Sequence, residues 1–117
     1  MVDASPASIS ARDLQEWLQD PARPLQLVDV REDEELRLAQ LPHGVVHLPL
    51  SRSQEWLPSL GERLSREEDI VVFCHAGVRS WQFGCWLLQA QGHERVWNLQ
   101  GGIDAWSLTV DASVPRY

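Results

Sequence analysis

The most apolar run in the chain is Ile70-Val71-Val72-Phe73, four consecutive hydrophobic residues preceded by Asp69. An unbroken run of this length predicts a central parallel strand, covered on both faces. Leu25-Gln26-Leu27-Val28-Asp29-Val30 reads as a second buried strand, Val45 to Leu48 as a short one closed by Pro49, and Arg95 to Leu99 as a further one. Between them the spacing turns helical. Ser10 is placed to cap a helix through Leu14, Trp17 and Leu18, which share a face; Pro21 and Pro24 end it. Arg31 to Leu38 is rich in Glu and predicts a short surface helix. Ser53 can cap a helix over 54–64, interrupted at Pro58 and Gly61. Ser80 to Ala90 carries Trp81, Phe83, Trp86, Leu87 and Leu88 on nearly all sides, which predicts a buried helix ended by Gly92. Pro42-His43-Gly44 and Gly101-Gly102 are turns, and Ile103 to Leu108 is a last short helix. Strands alternating with helices argue for an α/β domain with a mostly parallel sheet.

With 117 residues, the chain fits one domain spanning 1–117 that can bury a core without disulfides. Seventeen acidic against ten basic residues leave a net charge of -7. That surface repels phosphate backbones, so nucleic acid is not an expected partner. No apolar stretch approaches the roughly 20 residues of a membrane span, and Met1 to Ser10 does not pattern as a signal peptide. Only two cysteines occur, Cys74 and Cys85, so the expected compartment is the reducing cytoplasm, where a free thiol can do chemistry.

Cys74 stands at the carboxyl end of the predicted central strand, where open α/β sheets bind their ligands. The segment Cys74-His75-Ala76-Gly77-Val78-Arg79-Ser80 joins that strand to the buried helix. A tight loop here turns successive N–H groups inward as an anion nest, and the following helix points its positive end at the same spot. Arg79 would add a full positive charge. Together these are expected to lower the thiol pKa below the free value of about 8.5. Gly77 permits the backbone such a loop needs.

The pattern C-x-x-G-x-R-S after an apolar strand resembles the active loop of the single-domain rhodanese-like sulfurtransferases. Asp29-Val30-Arg31-Glu32 with Glu34-Glu35-Leu36 is similar to that family's D-x-R…E-[FY] signature, Leu41 to Leu50 to its G-H-I-P-G-A segment, and Leu99-Gln100-Gly101-Gly102-Ile103-Asp104-Ala105-Trp106 to its L-x-G-G-[IW]-x-x-W block. Ala39 and Gln40 replace the Gly and His of G-H-I, and His43 looks inserted, so the turn before Leu50 is expected to differ.

The resemblance implies a three-layer α/β domain with a five-stranded sheet. It implies a reaction in which the Cys74 thiolate takes a sulfur from thiosulfate or a persulfide and passes it to a thiophilic acceptor. Cys74 and Arg79 would be catalytic. His75, Ala76, Gly77, Val78 and Ser80 would bind substrate, and Asp29 and Arg31 would support the loop as scaffold. The partners are then a small-molecule sulfur donor and acceptor, with a protein persulfide partner as a further candidate, and no cofactor is expected. A thiosulfate dianion approaching a chain of charge -7 should be a modest donor.

Alternatives are a non-catalytic binding module, a persulfide carrier in a protein relay, and a phosphatase or arsenate reductase. The last type has C-x5-R, one residue longer than the C-x4-R of Cys74 to Arg79. Glu35 is expected to be solvated, Cys85 buried and structural, and His93 on the surface. His43 and His47 lie four apart on a turn and strand with no further ligand beside them, so no metal site is expected. Trp81 is expected near the mouth of the site.

Overall fold

A computed structural model describes residues 4–117. In chain order the elements are β1 (Ala7–Ile9), α1 (Ala11–Gln19), β2 (Leu25–Asp29), α2 (Asp33–Leu38), β3 (Val46–His47), α3 (Ser53–Trp56), α4 (Leu60–Arg63), β4 (Asp69–Phe73), α5 (Val78–Ala90), β5 (Val96–Leu99) and α6 (Gly102–Thr109). The strands form one sheet in the order β1-β5-β4-β2-β3, every neighbouring pair parallel. This is the α/β architecture the alternation predicts, with all five strands parallel.

Alternation along β4 sorts the core into two layers. Val71 and Phe73 face a cluster with Leu14, Ile103 and Trp106 from α1 and α6. Ile70, Val72 and Cys74 face the opposite cluster with Trp56, Leu60, Phe83 and Leu87 from α3, α4 and α5. Each fully buried aliphatic or aromatic side chain contributes about 1.5–3 kcal/mol, so β4 is the anchor of both layers.

Several elements differ from the sequence expectation. β1 has no alternating signal: of Ala7-Ser8-Ile9 only Ile9 is buried, and the strand exists through its ladder to Trp97, Asn98 and Leu99. The helix after Cys74 starts at Val78, two residues earlier than Ser80, because Gly77 serves as its left-handed N-cap. The surface helix begins at Asp33, fixed by a reciprocal capping box between Glu32 and Glu35. The strand expected at Val45 to Leu48 shrinks to Val46–His47. A 3-10 turn over Leu57–Ser59 breaks the 54–64 helix at Pro58, but Gly61 lies inside α4. Ser10 caps α1 as expected, accepting from the Asp13 amide at 3.1 Å. His93 is buried, not on the surface, and Cys85 is half-buried.

The chain leaves β2 toward the β3 edge and leaves β4 toward β5, so the crevice between the carboxyl ends of β2 and β4 is the switch point of the sheet. Asp29 ends β2 opposite Phe73. Its carboxylate accepts two charged bonds from the wholly buried Arg31 guanidinium, at 3.0 Å from Nε and 2.9 Å from Nη2. Arg31 also donates to the carbonyls of Ala39 (2.9 Å), the C-cap of α2, and Glu35 (3.4 Å), within α2, tying that helix to the sheet. Asp29 and Arg31 thus form a buried pair at the end of β2 that holds α2 against the sheet.

Removing one member of a buried pair strands the other charge, at a cost of about 3–5 kcal/mol. Asp29→Ala is expected to lower the unfolding free energy by about that amount in urea titrations, and Arg31→Met in the same chain to recover part of it. A loss under about 1 kcal/mol would show that the pair is not holding α2.

Candidate active site

The loop from Cys74 to Gly77 is fixed from behind. The amides of Ile103 and Asp104, in the first turn of α6, donate to the carbonyls of Cys74 (3.0 Å) and His75 (3.2 Å). Gly102 makes this approach possible: a Cβ there would run into the Cys74 and His75 carbonyl oxygens. Gly77 closes the loop at φ +106°, a conformation that favours glycine.

With its carbonyls turned back, the loop turns its amides toward the sulfur. Gly77 N–H donates to Cys74 Sγ at 3.1 Å and Ser80 N–H at 3.4 Å. Ser80 Oγ lies 3.3 Å from the same sulfur and donates to Asn98 Oδ1 at 2.6 Å. Cys74 is 1% exposed. Burial pushes its thiol pKa up, but hydrogen bonds from Ser80 and from the amides of Ser80, Gly77 and Ala76 outweigh it and hold the pKa below the ordinary thiol value. The nest read from the sequence is present.

Arg79 differs from expectation. Its guanidinium forms a two-pronged ion pair with Glu35, Nη1–Oε2 2.7 Å and Nη2–Oε1 2.8 Å, so its charge is largely matched before any substrate arrives. Glu35 is correspondingly not the solvated carboxylate expected from its place in an acidic run. Tyr117 adds to this cluster. Its hydroxyl donates to Glu35 Oε1 at 3.0 Å and accepts from Arg31 Nη1 at 3.1 Å, and its ring stacks on His75 with centroids 4.1 Å apart. His75 is thus held flat beside the loop. Ala76 and Val78 are exposed on the outer side, as is Trp81 on the first turn of α5, and Ser80 is fully buried under the sulfur.

Sequence reasoning missed two participants. Asn98 is visible only as a polar residue inside the apolar strand Val96-Trp97-Asn98-Leu99, and Tyr117 follows Pro115-Arg116 with no pattern around it. His43 packs edge-on against Trp106, and His47 bonds the Arg31 carbonyl at 2.7 Å, so both are spent on structure.

The Arg79 bonds hold Glu35 down to about 2, against burial and with help from the Glu32 backbone and Tyr117. The fold therefore favours the charged carboxylate, and the stability this adds is complete above about pH 4.5 and lost as pH falls toward 2. Solvent at Arg79 trims it to about 1–2 kcal/mol. Unfolding free energies from pH 6 down to about 2 are expected to show this loss in the native chain and its absence in Glu35→Gln. Parallel profiles would mean that the pair adds no stability.

Comparison with known proteins agrees with this geometry. The rhodanese-like domain model matches residues 10–109. The chain is 42% identical over 111 residues to the rhodanese-like/PpiC domain-containing protein 12 of Arabidopsis thaliana, covering 93% of this chain but 36% of that protein. It is 36% identical over 81 residues to a sulfurtransferase of Allochromatium vinosum, covering 69% of this chain and 70% of that one. A rhodanese-like domain protein from Staphylococcus aureus superposes with a TM-score of 0.71 at 28% identity, over 95% of this chain and 98% of that one. The parallel sheet, the cysteine loop at its switch point and the extent of these matches lead to one conclusion: the chain belongs to the rhodanese-like domain family.

Proposed function

We propose that the protein is a sulfurtransferase that carries sulfane sulfur on Cys74. The observation that carries the reading is the ring of donors around Sγ, with Gly77 N at 3.1 Å and Ser80 N at 3.4 Å. Donors fixed in advance on a buried sulfur favour its anionic state and cost no reorganisation when charge moves there. The name of the Allochromatium vinosum relative supports the same reading.

In the first half-reaction the Cys74 thiolate attacks the outer sulfur of the donor. A new S–S bond forms, the donor's own bond to that sulfur breaks, and its electron pair leaves with sulfite from thiosulfate or with a thiolate from a persulfide. In the second, a nucleophilic acceptor attacks the outer sulfur and the Cys74 thiolate departs. Charge and electrons balance in each step, and the cycle is ping-pong.

The favoured donor is a persulfide, on a small molecule or a partner protein. Arg79 is committed to Glu35, and the chain carries a net charge of -7, so little positive potential is left to draw in a dianion. Val78 at 68% exposure and Trp81 at 46% flank the loop and offer a partner protein apolar surface. The same pairing of Arg79 disfavours phosphatase chemistry, which needs a free guanidinium to clasp an oxyanion. Among the described residues no helix is long and apolar enough to cross a membrane. A reducing compartment such as the cytoplasm, where the thiol stays available, completes the proposal.

Incubation with a persulfide donor is expected to add one sulfur to Cys74 in intact-mass spectra, faster than thiosulfate does at matched ionic strength. Cys74→Ser is expected to lose the adduct and Cys85→Ser to keep it. Equal loss in both variants would overturn the single-cysteine mechanism. Thiosulfate outpacing persulfide would show that the loop amides outweigh the net charge.

A further inference from the structure

Around Ser80 there are more acceptors than hydrogens. Its hydroxyl has one proton and two neighbours that want it, Asn98 Oδ1 at 2.6 Å and Cys74 Sγ at 3.3 Å. The Asn98 carboxamide cannot turn over to help. Its Nδ2 donates to the Gly77 carbonyl at 3.0 Å, and a flip would set two oxygens against each other there. Asn98 Oδ1 therefore faces Ser80, and all three residues are buried. A buried acceptor left without its hydrogen is costly, so the short bond to Asn98 claims the Ser80 proton.

This changes what Ser80 does for the sulfur. With its proton on Asn98, Ser80 Oγ shows lone pairs to Sγ. A thiol satisfies them by donating, giving a continuous chain from S–H through O–H to the carboxamide. A thiolate has no hydrogen to give. It either faces those lone pairs or draws the hydroxyl round and strands Asn98 Oδ1. The Ser80 hydroxyl can pull the thiol pKa down only by giving the sulfur that one proton; with the proton on Asn98, the downward pull rests on the backbone amides of Ser80, Gly77 and Ala76.

We propose that Asn98 is a positioning residue that sequesters the Ser80 proton, so that the Cys74 thiolate is held by backbone amides alone and stays the more reactive for it. The sulfur state that suffers from this arrangement is the bare thiolate. In a persulfide the charge moves to the outer sulfur, Sγ becomes a neutral divalent atom, and the Ser80 to Asn98 bond stands undisturbed. Asn98 thereby favours loading of Cys74 over return to the free anion, since a less stabilised thiolate is the stronger nucleophile and the poorer leaving group. This consequence for turnover rests on the sulfur-transfer reading; the position of the proton does not.

The test is the rate of Cys74 alkylation by iodoacetamide against pH, in a Cys85→Ser background, which needs no sulfur donor. The charged and titratable groups around the loop are Arg79, Glu35, His75, Tyr117, Asp104 and the Asp29–Arg31 pair, all unaltered in the variants. Asn98→Ala frees the hydroxyl to donate to sulfur and is expected to lower the thiol pKa by about one unit. The thiolate should then alkylate more slowly at high pH, where ionisation is complete. In a Ser80→Ala background the same substitution is expected to leave the pKa where it was. If Asn98 acts only by holding Gly77, the shift persists without Ser80, and the proposal is overturned. Ser80→Ala alone gives a second reading should Asn98→Ala fail to fold. A hydroxyl already committed to Asn98 predicts no rise in the thiol pKa, and a clear rise would overturn the proposal. Failure of persulfide formation with these pKa shifts intact would sink the sulfurtransferase reading and leave the Asn98 inference standing.

Discussion

The contact on which this site depends is the docking of the α6 N-terminus against the back of the Cys74 loop. Peptide groups have two ends. When the amides of Ile103 and Asp104 take the carbonyls of Cys74 and His75, the loop is locked with its own N–H groups free to face the sulfur. Buried carbonyls need partners, and here the partner is a helix start whose unsatisfied amides need acceptors as much. The Gly101-Gly102 pair is the steric condition for that match. Both residues have positive φ, and the second lies too close to the loop carbonyls for any side chain. Sequence, turn and thiol chemistry are thus linked through one close approach of backbone to backbone.

The rest of the site manages charge inside an acidic protein. Arg31 is committed to Asp29, Arg79 to Glu35 and Arg116 to Asp104, and Tyr117 bridges the first two pairs. These pairs pin α2 and the loop to the sheet and leave the neighbourhood of the sulfur nearly neutral. The reactive anion is then stabilised by dipoles fixed to the fold. Dipoles of this kind act at short range, which supports the persulfide donor we propose over a dianion drawn from a distance.

Much of this was legible in the sequence because it obeys local rules. The unbroken run Ile70–Phe73 marks a strand buried on both faces, and a cysteine at its end followed by Gly77 and a helix defines the loop. What was not legible depends on partners far along the chain. Ala7-Ser8-Ile9 is a strand only because β5 pairs with it. The charge of Arg79 looks free until Glu35, 44 residues earlier, is placed against it. Asn98 and Tyr117 acquire their roles solely from what the fold sets beside them, and the burial of His93 follows the same logic.

Gly102→Ala would push α6 away from the loop whose amides it orients toward the Cys74 anion. The measurement is the thiol pKa of a Gly102→Ala variant, read from alkylation rate against pH with circular dichroism confirming the fold. The account predicts a pKa that rises toward the free-thiol value of about 8.5 as the loop is pushed off α6. A folded variant with an unchanged titration would contradict it.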